Sequence, residues 1–358
     1  MFGEEIYHIM GENDLIMIND VHLMLIPNYL LTRNPNARVG IYFHMAFPSS
    51  DVMKTFPYHQ EILKSILLCD VIGFHVFQFA RNFLTACKRL FGIFYEIKIG
   101  GFITLNYLGR HILIRIMHAG IDLDYIKSTI HKKEFSTHLE NFKSMIGDKF
   151  CFVSVDLPYE SSGLFFKIEA YKRFLEKSPL LRDKVILLQV IKCEEENEST
   201  KEFFNELNII LDEISQISKD SVKVLKLNKF SVPERFALFS LGGCLFYLQL
   251  REGNCMYVNE FIALQHILKD ENKKINFGII ISENIGVSTA LRGPFRVNPF
   301  NLNSIVNAIE KSYHMKEEDK MIKFHKDLEH VLQSTTFSWI KNFFIDLKRT
   351  STVKIKYY

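Results

Sequence analysis

The sequence predicts an α/β chain in two halves, each a parallel sheet with helices on its faces. Three observations carry this. Short apolar runs rich in β-branched and aromatic residues alternate with longer stretches whose apolar residues recur three and four positions apart. The early runs end in polar residues, Asn19-Asp20, His44 and His75, where open parallel sheets place ligands. The alternation loosens after Asp122 and starts again at Phe150.

Taken in order, Met1 to Gly11 is acidic and helix-like. Leu15–Ile18, Val39–Phe43 and Val71–Phe74 are strands, and His22–Thr32 and Phe77–Phe91 are helices. Phe102–Tyr107 and His111–Met117, joined through Leu108-Gly109-Arg110, read as an antiparallel hairpin. Lys127 to Lys149 is polar and helical and serves as the junction. Strands follow at Phe150–Val155, Val185–Val190, Val222–Leu227, Cys244–Leu248 and Phe277–Ile281. Gly163–Lys177, the acidic Glu194–Ser218, Val232–Leu241 and Tyr257–His266 read as helices, and Leu302 to Leu347 as two or more. The reading is therefore two Rossmann-like domains with a cleft between them. The expected division is 1–145, 146–335, and a C-terminal helix crossing back with its tail over 336–358.

Composition narrows the function. A net charge of +3 over 358 residues, with no basic stripe, argues against nucleic acid. No run approaches the ~20 apolar residues of a membrane helix, and the first residues lack a secretory pattern. The six cysteines are scattered without a CxxC pair, as in buried thiols of a cytoplasmic protein. The thirteen histidines include no HExxH, and no metal site is expected.

Five ordered segments carry a family resemblance. Asn19-Asp20-Val21-His22-Leu23-Met24-Leu25-Ile26-Pro27 resembles HDYHLMLLP. Phe43-His44-Met45-Ala46-Phe47-Pro48-Ser49-Ser50-Asp51 resembles FHxPFPSSE. Asp70 to His75 with Ala80 to Leu84 resembles DLIGFH…ARHFL, Leu105 to Arg110 resembles LEYYGR, and Arg296 to Asn301 resembles RVNPWN. These are motifs of glycosyltransferase family 20, the trehalose-6-phosphate synthases, in their plant-like, two-domain branch. The resemblance implies a GT-B fold. It implies transfer of glucose from UDP-glucose to glucose 6-phosphate with retention, and no metal or other cofactor, because protein cations and helix N-termini neutralise the departing diphosphate.

The resemblance also assigns residues. His44 falls where the family places a histidine against the transferring glucose, able to donate or accept near the anomeric centre. Asp20 matches an acceptor-binding aspartate, since a carboxylate accepts several sugar hydroxyls; the alternative is an N-cap for the helix that follows. His22 is assigned to packing. Arg251 to Phe261 aligns with RDGMNLVAKEY. There Glu252 stands for the glucose-binding aspartate in the catalytic site, Gly253 for the glycine that lets backbone amides reach sugar and phosphate, and Glu260 for the carboxylate on the donor ribose. Glu252 is one methylene longer than aspartate, and a misplacement of about 1 Å can cost about a hundredfold in rate. Asp122-Leu123-Asp124 resembles the DxD of metal-dependent transferases or of haloacid-dehalogenase phosphatases, but it lies in the family's GID segment at the junction, without the phosphatase context.

Three departures from the family pattern stand beside these matches. Val155 to Gly163 occupies the place of VDRLDYIKG, with Gly163 retained as a donor-site glycine. Leu157 and Ser162 replace the arginine and lysine that bind the donor diphosphate, and Glu160 adds a negative charge. Lys167 lies one helical turn on. No arginine occurs between Arg182 and Arg235, where the family uses one for the acceptor phosphate; Lys192 and Lys201 are the nearby cations, beside the acidic run Glu194 to Glu198. Family members also carry roughly a further domain-half before the Asn19 segment. The first domain is therefore expected to be incomplete, its open face covered by an upstream segment or a protein partner. Two readings follow: a trehalose-6-phosphate synthase-like protein of trehalose biosynthesis with weak or no turnover, or a non-catalytic pseudo-glycosyltransferase acting as a regulatory or scaffold subunit.

Overall fold

The computed structural model describes residues 1–271 and 277–350. The chain divides into two compact units, residues 1–120 with 334–358 and residues 121–333. The division thus falls after Gly120, earlier than the junction expected near residue 145. The expected tail residues 351–358 lie outside the described residues.

The first unit opens with α1 (Phe2–Ile9), β1 (Leu15–Asn19), α2 (Ile26–Arg33), β2 (Arg38–Phe43), α3 (Ser50–Lys54), α4 (His59–Ile66), β3 (Val71–Phe74) and α5 (Phe77–Phe91). Three antiparallel strands follow, β4 (Tyr95–Lys98), β5 (Phe102–Tyr107) and β6 (Arg110–Ile116). The sheet order is β1-β2-β3-β6-β5-β4, with β1, β2, β3 and β6 mutually parallel. The expected hairpin is therefore the inner part of a three-stranded antiparallel edge. Its turn has two residues, Leu108 at φ 48° and Gly109 at φ 77°, the positive-φ pair that a right-twisted hairpin requires. The helix expected from His22 is interrupted: a short 3₁₀ turn covers Val21–Leu23, and α2 starts at Ile26, with Pro27 in its first turn, where a missing N–H costs nothing.

At the amino ends of the strands, Asp70 accepts from the Arg110 guanidinium at 2.6 Å and from the Val39 amide at 3.0 Å. Both charged side chains are buried, and this fork fixes β2, β3 and β6 relative to one another. Arg110 of the LGR turn is thus structural. The opposite, carboxyl ends of the same strands are left for chemistry. One face of the sheet is closed by α14 (Thr336–Arg349): Trp339, Phe343 and Leu347 pack with Tyr42, Val71 and Ala119. Thr336 donates to the Gly120 carbonyl at 2.9 Å, and Arg115 pairs with Asp346 at 2.6 Å. A Cβ at Gly120 would lie 1.5 Å from the Ser334 carbonyl oxygen, so only glycine admits this return of the chain.

The second unit begins with α6 (Leu123–Ile130) and α7 (Lys133–Ile146). These replace the expected junction. Their polar face is solvated, while Ile126, Ile130, Phe135, Phe142 and Ile146 enter the main core. Then come β7 (Phe150–Asp156), α8 (Leu164–Lys177), β8 (Val185–Lys192), α9 (Glu198–Ile217), β9 (Val222–Leu227), α10 (Val232–Leu241), β10 (Cys244–Tyr247), α11 (Met256–Asp270), β11 (Ile279–Ser282), β12 (Phe295–Val297), α12 (Leu302–Tyr313) and α13 (Glu317–Gln333). Helix α9 starts at Glu198, later than expected, because Asn197 and Thr200 form a reciprocal capping box. The six strands are parallel in the order β12-β11-β10-β7-β8-β9. The chain therefore starts at the centre, winds outward through β8 and β9, and returns to β10 on the other side. That is the doubly wound arrangement, with its switch point between β7 and β10. No helix among the described residues is long and apolar enough to cross a membrane.

Candidate functional site

In the first unit, parallel register brings four polar residues to one rim. Asn19 is paired with Tyr42, and Phe43 with Phe74, so Asn19, Asp20, His44 and His75 follow one another across the carboxyl ends of β1, β2 and β3. His44 Nε2 lies 3.3 Å from Asn19 Oδ1, and its Nδ1 lies 3.3 Å from His75 Nε2. The Ala119 amide donates to His75 Nδ1 at 3.4 Å. A neutral imidazole carries its proton on one nitrogen only. His75 therefore carries it on Nε2 and presents it to His44 Nδ1, which leaves His44 protonated on Nε2.

Burial lowers the pKa of both rings, His75 to about 3 and His44 by a smaller amount against the opposing pull of Asp20. Both are neutral near pH 7. Tyr42 sits 3.0 Å from His75 Nδ1 and donates to the Met117 carbonyl. Trp339 of α14 packs edge-on against His44, ring centroids 5.4 Å apart.

Asp20 is the unusual residue of this rim. Its φ of 61° and ψ of −170° lie in a region that only glycine occupies freely, a strain worth about 1–3 kcal/mol. Its side chain does not cap the turn that follows, so the N-cap alternative does not hold. Its Oδ1 is buried and finds no hydrogen-bond partner among the described residues. A strained backbone holding an unpartnered acceptor beside a neutral histidine suits a hydroxyl-rich ligand. His22, assigned to packing, is instead exposed.

In the second unit, the loops after β7 and β10 meet at the switch point. The Leu250 amide donates to the Ser161 carbonyl at 2.9 Å. Gly163 has φ 69°, and a Cβ there would lie 2.1 Å from the Leu248 carbonyl oxygen. The glycine is thus required by the close passage of the two loops. Of the residues that replace the family cations, Leu157 is exposed and Ser162 is buried, its hydroxyl accepting from the Leu164 amide at 3.3 Å. Lys167 does not reach the loop. Its ammonium is fully buried and bonded to Asp156 Oδ2 and Ser154 Oγ, and Gln189 donates to the same Asp156 oxygen at 2.9 Å.

Glu252 follows β10, its carbonyl accepting from the Gly286 amide at 3.2 Å. Desolvation raises its pKa, and the nearby Asp156 charge adds to this, against hydrogen bonds from Tyr247 and Cys255. Gly253 is buried in the same loop. Glu260 on α11 is held by a two-pronged fork from Arg235, Nε to Oε2 and Nη2 to Oε1, each at 2.8 Å. A ribose would have to compete with that guanidinium. A cavity of about 340 Å³ opens beside Leu157, Tyr159, Lys192 and Asn197, and its Lys192 pairs with Glu194 at 2.6 Å. Asp122 of the DxD sequence caps α6, accepting from the Tyr125 amide at 3.0 Å.

Sequence reasoning missed His75 and Trp339 as neighbours of His44, and Arg235 as the partner of Glu260. His75 had a signal, its place at a strand end. The other two meet their partners only through tertiary packing.

The family described as Glycosyltransferase family 20 matches residues 1–349. The chain is 28% identical over 363 residues to the probable alpha,alpha-trehalose-phosphate synthase [UDP-forming] 11 of Arabidopsis thaliana, covering 98% of this chain and 42% of that protein. The chain thus spans less than half the length of that relative. Among solved structures, an alpha,alpha-trehalose-phosphate synthase of Burkholderia xenovorans in complex with glucose-6-phosphate superposes with a TM-score of 0.86 at 20% identity, over 96% of this chain and 75% of that one. The N-terminal domain of Candida albicans trehalose-6-phosphate phosphatase superposes with a TM-score of 0.86 at 24% identity, over 98% and 73%. At these identities the structural likeness is one of fold.

Proposed function

We propose, from the premise that this chain belongs to glycosyltransferase family 20, that it is a trehalose-6-phosphate synthase-like protein whose grip on the sugar-nucleotide donor has been lost. The family reaction moves glucose from UDP-glucose to glucose 6-phosphate without a metal. On this reading His44 and Glu252 face the transferring glucose, Asp20 binds the acceptor, and Gly163, Gly253 and Glu260 line the donor site.

The single observation that carries the proposal is the fate of Lys167. It is the cation closest in sequence to the vacated positions Leu157 and Ser162, and it is consumed inside the unit by Asp156 and Ser154. Losing one stabiliser of a developing charge costs about 3–4 kcal/mol. Losing two corresponds to several orders of magnitude in rate.

The pairing of Glu260 with Arg235 favours the second reading in the same direction, a non-catalytic regulatory or scaffold subunit in trehalose metabolism. A family 20 fold standing at the N-terminus of a phosphatase is compatible with that role. The test is UDP release from UDP-glucose and glucose 6-phosphate by the purified chain. Release no faster than the enzyme-free blank is expected; turnover on the order of 1 s⁻¹ or more, the ordinary enzyme range, would refute the proposal.

A further inference from the structure

We infer that the free edge of β4 is a self-association surface, on which a second copy of this chain docks antiparallel about a twofold axis with Ile97 facing Ile97. Strand β4 ends the first unit's sheet, and all four of its residues are exposed. Large apolar side chains crowd this short edge: Phe94 is 66% exposed, Ile97 68% and Ile99 101%, with Tyr95 and Phe102 beside them. Tyr95 and Ile97 stand opposite Leu105 and Ile103 of β5, which are core residues. The core face of the sheet therefore continues onto β4, and none of the described residues pairs with its outer edge. An exposed apolar edge of this kind is a template for another strand.

The sequence of the edge selects the occupant and the register. Tyr95-Glu96-Ile97-Lys98-Ile99 alternates apolar and charged residues, with Glu96 and Lys98 paired 2.5 Å apart on the other face. In an antiparallel pair, directly opposed residues share a face. Centring the twofold on Ile97 sets Glu96 against Lys98 of the second copy, Lys98 against Glu96, and Tyr95 against Ile99. Centring it on Glu96 or on Lys98 opposes like charges. Moving it by half a step puts charged residues against apolar ones. One register alone satisfies both faces, and it is isologous, as a closed dimer requires. Lysine on an edge strand ordinarily blocks pairing; here it blocks the wrong registers and admits this one.

Sedimentation velocity on the full chain tests the inference. The wild type is expected to dimerise reversibly at micromolar concentration. Glu96→Lys and Lys98→Glu should each weaken the dimer by about tenfold, since each sets two like-charge pairs across the twofold. The double swap should restore it. Oxidised Ile97→Cys should form a covalent dimer, because opposed Cα atoms about 4.5–5.5 Å apart suit a disulfide; Ile99→Cys should not. These side chains are exposed, so unchanged circular dichroism will show that each variant folds. A wild-type monomer at about 100 µM, or a dimer indifferent to the charge swap, would overturn the inference.

Discussion

The rim of the first unit and the switch point of the second both hold buried carboxylate oxygens, and they differ in what happens to the cations. Around His44 the groups are held open. Asp20 has an unpartnered carboxylate oxygen, its backbone is strained, and both histidines are kept neutral. Around Gly163 two cations are paired inside the unit, Lys167 with Asp156 and Arg235 with Glu260, and Lys192 pairs with Glu194 at the surface, while Glu252 Oε2 and Asp156 Oδ1 are buried with no hydrogen-bond partner among the described residues. The difference teaches where binding capacity remains. An ion pair closed inside the protein has no free energy left to offer a ligand unless the ligand breaks it.

The largest effect that would sharpen this contrast lies in the buried pair. Lys167→Met leaves Asp156 uncompensated and should cost about 3–5 kcal/mol in chemical unfolding. Adding Asp156→Leu should return most of that loss. A cost below about 1 kcal/mol would mean the pair is solvated, and the comparison would break.

Smaller effects come from pH, and the two regions should respond with opposite signs. His75 has a folded pKa of about 3 against an ordinary 6.5. Between those values the unfolded chain holds more protons, so stability falls as pH drops through that window. His75→Gln should flatten this acid limb. In a ¹⁵N spectrum it should also release His44 from a single tautomer, a change that mere packing loss would not produce. Glu252 is shifted the other way, above its ordinary 4.5. The folded chain then holds the extra proton, and stability falls as pH rises from 4.5 through the raised value. Glu252→Gln should remove that loss, so the variant should be more stable than the wild type at neutral pH and its stability should no longer fall through this window.

Much of this was legible in the sequence. Val71–Phe74, Phe77–Phe91, Val222–Leu227 and Val232–Leu241 coincide with β3, α5, β9 and α10, because periodicity and flanking breakers are local signals. Tyr95–Lys98 was missed although its residues alternate apolar and charged, because a four-residue exposed strand is too short for that alternation to stand out and has no buried run. Phe295–Val297 was seen as a motif and missed as a strand for the same shortness. Residues 127–149 looked like a polar junction because the few apolar side chains that bury α7 are diluted among charges.

The site was legible as positions and illegible as pairings. The absence of arginine at Leu157 could be read directly from the chain. That Lys167 turns inward, and that Arg235 reaches Glu260 from another helix, depends on which strands become neighbours. The opposite case is Asp20, whose backbone strain no residue pattern announces.

The most direct measurement is a calorimetric titration of the purified chain with UDP. If Lys167 and Arg235 stay with their internal partners and the loop after β7 offers no cation, no binding tighter than about 1 mM will be seen, a free energy near −4 kcal/mol. A Kd at or below about 10 µM would show that the diphosphate is still gripped and would contradict the account.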